Sequence, residues 1–518
     1  MNTLFFRLLD QKDKATAMSE AVDAVREGRL LSAVVHAVDP VSFRQVSGSP
    51  FAYWVSERLR RLFTELPSFE AEGRWARLGA HGSNDFRYVR CWWEVDRTQP
   101  HGLGEWRAFA KGGMFSPFYA DIHLVVDWEP RRSTFLGFFG RPGREIERPE
   151  SVGFFFRPGL TWPRRTNGFS LRVMPADCIF ADKGPAVFVD GDDSEALLAL
   201  AAITNSSAFG LLVSLQLART ELAQSYEVGL IQKTPLPEPS AVCQALLATL
   251  AHRAWSLKRT LDIRTETSHA FTLPALLLVD GMTLADRAVA WVERVRRAEA
   301  ELFAIQAEID THCFDLYGIA EADRRAITKG FGTSSDVDEP NTAEEVDSED
   351  DEDSTAADAA ILAAEMMSWA VGVAYGRFDV RLATGEHALP PEPDPFAPLP
   401  VCPAGMLLRA NGLPAAPEDV PVDYPLHLSW SGILVDDEGH PKGIVSRTRQ
   451  ALEVIWQERA SDIEHEACEL LGVKSLRDYF AKPGHFFANH LKRYSKSRRQ
   501  APIYWPLQTP AGSYTLWL

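Results

Sequence analysis

The residues best suited to chemistry in this chain lie where arginines alternate with aromatic rings. Residues 154–172 read FFFRPGLTWPRRTNGFSLR and contain four arginines, five aromatics and no acid. Guanidinium groups form paired hydrogen bonds with phosphates, and exposed rings stack on bases. The stretch therefore predicts a nucleic-acid contact. The competing interpretation is a strand and turn whose rings are core and whose arginines are solvated.

A second cluster with suitable chemistry lies earlier in the chain. Residues 106–113 read WRAFAKGG, and Phe115 and Tyr119 follow. Paired glycines let backbone N–H groups approach a phosphate closely, and the lysine adds a positive charge. The spacing is not that of a P-loop, which requires four residues between its glycines and a G-K-[ST] ending. A tight hairpin turn is the alternative.

Basic and aromatic residues also alternate near the carboxyl end. Residues 482–518 contain six Lys or Arg and no acid, together with rings such as Tyr504 and Trp505. Such a pattern can hold a nucleic-acid backbone and stack on bases. The candidate DNA-binding residues of the whole chain are Trp106, Lys111, Gly112, Gly113, Arg164, Arg165, Thr166, Asn167, Arg172, Lys492, Arg493, Arg498 and Arg499.

The sequence predicts no catalytic, cofactor-binding or metal-binding residue. It lacks an Asn/Asp/Ser-Pro-Pro-aromatic motif and a strand followed by a Gly-rich turn, the features that would grip a flipped base and an adenosyl cofactor. It also lacks a G-x-S-x-G elbow and an H-E-x-x-H helix. The six cysteines are scattered without a C-x-x-C pair, which fits neither a disulfide framework nor a four-ligand zinc site.

Charge and composition leave a nucleic-acid partner open. The formal net charge is −17, but twelve acids lie between Asp336 and Asp358, where Lys and Arg are absent. Screening confines a surface charge to about 10 Å at ordinary salt, so local basic patches can still bind a polyanion. The cysteine pattern and the absence of a signal peptide favour a cytoplasmic location. The longest apolar region, residues 196–218, is interrupted by TNSS, so no membrane association is expected.

Length and patterning predict an α+β (mixed) chain of several domains. Residues 1–74 form an N-terminal helical segment, and residues 75–240, rich in short β-type runs, form a mixed β-sheet target-recognition domain. Residues 241–331 carry two long helical patterns that act as a spacer. Residues 332–358 form an acidic disordered linker, for which a plain tether and an acidic mimic that shields a basic surface are both open. Residues 359–518 form a helical, DNA-contacting C-terminal domain.

Several strings resemble the region downstream of the catalytic domain in large adenine-specific DNA methyltransferases of the BREX phage-defence type (PglX) and in single-chain type IIG restriction–modification enzymes. They follow one another from about residue 49 to the end: SPFAYWVSE, FRYVRCWWEV, WRAFAKGGMFSPFYADIHLVVDW, RPGLTW, FSLRVMPADCIFADKGPAVF, LAAITNSSAF, SYEVGLIQKTPLP, FDLYGI, VGVAYGRFDVR and HLKRYSKSRRQAPIYWPL. Residues 196–257 are also similar to the recognition modules of type I specificity subunits.

The resemblance implies that this chain binds duplex DNA and positions it for methyl transfer to adenine N6. No cofactor is expected on the chain itself. S-adenosylmethionine is expected on a catalytic partner or on a missing amino-terminal half, since the methyltransferase motifs do not precede residue 49. The chain is then a split gene product, a truncated remnant or a true subunit, working with a separate methyltransferase half or other defence-system subunits. The alternative is a non-catalytic scaffold of a defence complex.

Overall fold

The computed structural model describes residues 2–8, 11–29, 34–80, 85–95, 106–128, 149–217, 225–328, 359–428, 430, 433–436, 440–482, 484–496, 504–509 and 512–517. The predicted acidic linker, residues 332–358, lies outside the described residues. So do two of the candidate DNA-binding residues, Arg498 and Arg499.

Helices supply most of the regular structure. In chain order they are α1 (Lys14–Arg26), α2 (Glu57–Glu65), α3 (Asp85–Tyr88), α4 (Pro149–Val152), α5 (Ser194–Thr204), α6 (Ser207–Leu217), α7 (Val228–Gln232), α8 (Ala241–Asp262), α9 (Leu284–Leu316), α10 (Glu321–Thr328), α11 (Ala359–Ala374), α12 (Arg381–Thr384), α13 (Ile444–Trp456), α14 (Ala460–Leu470), α15 (Leu476–Ala481) and α16 (Phe486–Tyr494).

The strands are short and form small sheets. They are β1 (Thr3–Phe6), β2 (Val35–Val38), β3 (Arg74–Arg77), β4 (Val89–Cys91), β5 (Trp106–Ala110), β6 (Leu124–Asp127), β7 (Gly159–Thr161), β8 (Arg172–Met174), β9 (Cys178–Phe180), β10 (Ala186–Val189), β11 (Ile433–Asp436), β12 (Tyr504–Thr509) and β13 (Gly512–Trp517). Among the described strands the sheet orders are β1-β2, β3-β10-β7-β8, β4-β6-β5-β9 and β11-β13-β12. Between these described strands the ladders are antiparallel except for β5 and β9, which run parallel. The prediction of a mixed α+β fold is confirmed.

The two long helical patterns are helices because their N-terminal ends are capped and one face of each is apolar. The Ser240 hydroxyl accepts the N–H of Cys243 at the start of α8. Thr283 and Asp286 form a reciprocal capping box at the start of α9, which satisfies N–H groups that lack helical partners. Along α9 the buried side chains, such as Trp291 and Ile305, recur at helical spacing.

Three clusters of buried apolar side chains hold the described elements together. The first joins α5, α8 and α9 to the sheet β3-β10-β7-β8. The second lies among the C-terminal helices around α11 and α13. The third packs on the sheet β4-β6-β5-β9 and includes rings such as Phe109 and Phe180. The first cluster takes side chains from both sides of residue 240, so packing continues from the strand-rich region into α8. Besides α1 and α2, residues 1–74 contain the antiparallel pair β1-β2, whose strands lie on either side of α1 in the sequence.

In the part of the chain that the structure describes, no single helix combines the length and the apolar composition needed to cross a membrane. The bent pair α5 and α6 passes such a test only when both helices are taken together. Their apolar side chains belong to the first buried cluster.

Candidate nucleic-acid interface

The Lys111-Gly112-Gly113 loop follows directly from β5 and packs against the turn after β9. Gly112 and Gly113 have φ angles of +92° and +122°, which side-chain-bearing residues rarely adopt. A Cβ on Gly112 would lie 2.6 Å from the carbonyl oxygen of Lys183, and one on Gly184 would lie 2.5 Å from the Gly112 nitrogen. Glycines therefore allow the two backbone segments to touch.

The arginine-rich stretch continues the same layer of backbone. The Arg164 N–H donates to the Lys183 carbonyl at 3.0 Å, and the Arg164 carbonyl accepts the Tyr226 N–H at 2.7 Å. Arg165 forms an isolated antiparallel bridge with Ser225. The turn Asp182–Gly184 consequently lies between the glycine loop and the Arg164-Arg165 pair, so the two clusters that the sequence offers separately are neighbours in space.

Side chains join the clusters a second time. The buried Arg172 guanidinium donates to the carbonyl of Met114 at 3.2 Å and to the carbonyl of Gly112. A Cβ on Gly168 would lie 2.9 Å from a Phe115 ring atom, so this ring packs directly on the 166–168 turn. Burial lowers the pKa of Arg172 to about 10, which still leaves the group charged at neutral pH.

We call the resulting surface the KGG face and define it as residues Lys111–Phe115, Arg164–Gly168 and Lys183. Its exposed polar members are Arg165, Asn167 and Lys183. Met114 and Phe115 are also exposed, at 54% and 52%. Within the described residues neither Arg165 nor Lys183 forms an ion pair. Among the described residues the face therefore offers two exposed cations, Arg165 and Lys183, that no carboxylate pairs with.

Other cations of the face already have acidic neighbours. Lys111 pairs with the half-exposed Asp85, and Arg164 lies 3.5 Å from Glu227 and 4.0 Å from Asp182. Their charges are thus partly balanced before any ligand arrives. Ion pairs of this exposed kind contribute little to the stability of the fold. Trp106, at the start of β5, is half-buried opposite Asp127 of β6.

Arg172 is the candidate whose geometry differs most from a groove-reading arginine. It is only 6% exposed, and its donors already serve backbone carbonyls of the loop. Its direct contact with DNA stays a prediction. In the structure this side chain positions the loop that carries Lys111, Met114 and Phe115.

The carboxy-terminal candidates lie on α16. Lys492 is exposed, whereas the Arg493 guanidinium is largely enclosed and lies 3.2 Å from the buried carboxylate of Glu266. The Tyr494 hydroxyl donates to the other Glu266 oxygen at 2.6 Å. Arg493 and Tyr494 thus fasten α16 to the segment between α8 and α9. A DNA contact by Lys492 or Arg493 stays a prediction.

A buried polar network lies behind the KGG face. The Tyr119 hydroxyl donates to Asp262 at 2.8 Å, and His269 Nδ1 lies 3.0 Å from Asp121. Burial raises the pKa of Asp262. Burial also acts to raise the pKa of Asp121, but the charge and hydrogen bond of His269 outweigh it and the pKa is lowered. The network anchors residues 119–123, which continue the loop, to the end of α8.

Sequence reasoning missed Lys183 and Lys258 as members of this region. Lys258 on α8 donates to the Ser116 hydroxyl and, at 3.0 Å, to the Pro117 carbonyl. A lysine before a glycine was the local signal for Lys183, and Lys258 had none because its partners lie far away in sequence. In the described residues no group of three or more His, Cys, Asp or Glu side chains could hold a metal ion.

Comparisons with known proteins point in one direction. No protein-family model matches the chain. Over 337 residues it is 23% identical to the adenine-specific methyltransferase PglX of Lacticaseibacillus casei (strain Zhang). This match covers 61% of this chain and 27% of that protein. Over 173 residues it is 28% identical to the adenine-specific methyltransferase BrxX of Escherichia coli O9:H4 (strain HS). This second match covers 32% of this chain and 13% of that protein. The matches span about a quarter or less of the curated relatives' length. The chain is therefore a distant, partial homologue of the PglX and BrxX adenine-specific methyltransferases.

Proposed function

We propose that this chain supplies the DNA-recognition surface of an adenine-specific DNA methyltransferase, and that the KGG face is the part that grips the duplex. The observation that carries the proposal is the convergence of the glycine loop, the Arg164-Arg165 pair and Lys183 on one surface. The names of the relatives support adenine as the base that is methylated. Methyl transfer itself is left to a catalytic portion outside this chain.

The chemistry of the face suits a duplex. Arg165 and Lys183 are exposed cations that can neutralise phosphates. Asn167, which is exposed and precedes the Gly168 position on which Phe115 packs, offers a donor and an acceptor for a base edge. Arginine to guanine or asparagine to adenine would each discriminate by about 1–3 kcal/mol. The missing Cβ atoms of Gly112 and Gly113 would point at Lys183 and Arg172 of the chain itself, so these glycines shape the loop that carries the face.

The cofactor implied by the relatives does not fit the described residues. The segment nearest to a strand–turn–helix unit runs from β10 through residues 190–193 into α5. This turn holds one glycine and three carboxylates, and the Asp193 side chain already accepts the N–H groups of Glu195 and Ala196 at the helix start. An adenosyl cofactor needs open backbone donors and several glycines at this point. We therefore place no methyl-transfer step on this chain.

The proposal is tested by binding of the purified chain to duplex DNA across a salt titration. Neutralised phosphates give a log–log salt slope of about −0.9 per contact. The double change Arg165→Ala and Lys183→Ala should weaken binding and make the slope shallower by about 1 to 2. Matched controls are Arg296→Ala on α9 and Lys474→Ala after α14, both exposed positions outside the face, which should leave the slope unchanged.

Failure of the wild-type chain to retard any duplex would reject the proposal. Stable capture of another defence-system subunit under the same conditions would then favour the scaffold alternative. If the double variant binds DNA with unchanged affinity and an unchanged salt slope, the DNA interface lies outside the KGG face.

A further inference from the structure

Met114 and Phe115 form an exposed apolar tip on a surface that is otherwise polar. Their side chains are 54% and 52% exposed, while the rings of the arginine-rich stretch, including Phe155 and Trp162, are buried or half-buried. Exposure of two large apolar side chains next to each other is costly in water, so a contiguous tip of this kind marks a contact. Among the rings that the sequence offered for stacking and whose burial the structure describes, Phe115 is the exposed one.

The tip is held from both sides. On one side Arg172 donates to the carbonyls of Gly112 and Met114. On the other side Lys258 donates to the Ser116 hydroxyl and the Pro117 carbonyl, and the Ser116 hydroxyl donates to the Tyr119 carbonyl at 2.7 Å. The loop is therefore ordered before any ligand binds. A preorganised apolar tip loses little conformational freedom on binding.

The surroundings of the tip indicate its occupant. Phe115 packs on the turn at Gly168, which directly follows the exposed Arg165 and Asn167. Lys183 lies behind the glycine loop. An apolar tip on the same face as cations that form no ion pair within the described residues complements a polyanion with flat, stackable faces. Duplex DNA has this combination, with phosphates on the outside and base faces accessible at an opened step.

We propose that Phe115, supported by Met114, is an apolar wedge that enters between two base pairs and partly unstacks them. The wedge rests on the proposed DNA-binding function of the KGG face. Phosphate contacts at Arg165 and Lys183 bring the duplex down onto the loop, and the Phe115 ring replaces the stacking that the opened step loses. Apolar side chains that enter a base step bend and unwind the duplex at that step.

The test uses the full chain and a closed-circular plasmid relaxed by a topoisomerase in its presence. A wedge unwinds DNA and so shifts the linking-number distribution of the plasmid. This assay does not require the recognised sequence to be known. Wild-type chain should shift the topoisomers, Phe115→Ala should abolish the shift, and Phe115→Leu should retain part of it because an apolar wedge remains. Binding by Phe115→Ala should weaken about tenfold, in line with the loss of one stacking contact, at an unchanged salt slope.

Matched controls separate the insertion of Phe115 into a base step from phosphate binding by the rest of the KGG face. Phe303→Ala removes another exposed ring, on α9, at 78% exposure, and should change neither readout. Thermal unfolding of Phe115→Ala and Phe115→Leu checks that both remain folded. If the wild-type chain binds with the expected salt slope but leaves the topoisomers unshifted, or if Phe115→Ala shifts them fully, the wedge is refuted while the DNA-binding function stands. If no duplex is bound at all, both proposals fail.

Capture of a protein partner that depends on Phe115, together with unwinding that does not, would also refute the wedge and assign the tip to a protein interface.

Discussion

Arg172 donates a hydrogen bond to the backbone carbonyl of Gly112, and this contact ties β8 to the loop after β5. Its other donor serves the Met114 carbonyl. The arginine that ends the basic stretch therefore shapes the glycine loop from beneath. A side chain that the composition suggested as a ligand for DNA is, in the fold, a support for the residues that face outwards.

Replacement of Arg172 should damage both the loop and DNA binding. Arg172→Met removes charge-assisted donors from two backbone carbonyls and should lower the free energy of unfolding by about 1–3 kcal/mol. Duplex affinity should fall with it. Arg172→Lys keeps the charge but not the forked geometry, so it should recover only part of each loss. Urea unfolding and anisotropy titration check this, and an unaltered affinity in the Met variant would contradict a positioning role.

Gly112→Ala should be more destabilising than a substitution at a glycine with a similar backbone angle. Gly112 and Gly412 have φ angles of +92° and +78°, but only at Gly112 would the new Cβ meet another backbone atom, the Lys183 oxygen at 2.6 Å. Both variants carry the strain of the left-handed region, about 1–3 kcal/mol. The Gly112 variant should lose at least about 1 kcal/mol more in urea unfolding, because the 183–184 turn must shift. Equal losses would mean that the two segments are not in backbone contact.

Truncation of Arg493 should lower the free energy of unfolding strongly, and truncation of the neighbouring Lys492 should hardly change it. Arg493→Ala leaves the buried Glu266 carboxylate without its guanidinium partner, and breaking a buried pair costs about 3–5 kcal/mol. Lys492→Ala, at the exposed neighbouring position, should change unfolding by no more than about 0.5 kcal/mol. A double-mutant cycle of Arg493→Ala and Glu266→Gln should show strong coupling. Additive effects would contradict the anchoring of α16 through this pair.

His123 should contribute a fall in the free energy of unfolding as the pH is lowered from about 6.5 to about 4. Burial, reinforced by the nearby Lys496 charge, lowers the pKa of His123 to about 4. A histidine with a depressed folded pKa binds its proton more readily in the unfolded chain, so its contribution is complete above pH 6.5 and is lost as the pH falls towards 4. The contribution is at most about 3 kcal/mol, because His123 is only half-buried.

The measurement is the pH dependence of urea unfolding for the wild-type chain and for His123→Gln. Burial raises the pKa of Asp262 and of Glu365, which acts in the opposite direction at lower pH, so the difference between the two proteins isolates His123. The variant should show a shallower fall between pH 6.5 and 4. Parallel curves would show that His123 titrates as it does in the unfolded chain.

The sequence by itself determined the local elements and the candidate chemistry. Helical periodicity predicted α8 and α9, and short β-type runs between turn residues predicted the strand-rich region, because both signals depend on neighbours that are close in sequence. The sequence also placed arginines, lysine, glycines and asparagine in two clusters and led to the resemblance to adenine-specific methyltransferases. These are properties of residue type and order.

Only the tertiary structure decided which of these groups face outwards. The parallel pairing of β5 with β9 brings Lys183 beside Gly112, and no local pattern encodes that contact. Burial turned Arg172 into a support, and Glu266, far away in sequence, took up the charge of Arg493. The exposure of Phe115 beside Gly168 likewise depends on how two loops meet. Whether a charge or ring is available to a ligand depends on long-range packing, since a neutralising partner can come from any part of the chain.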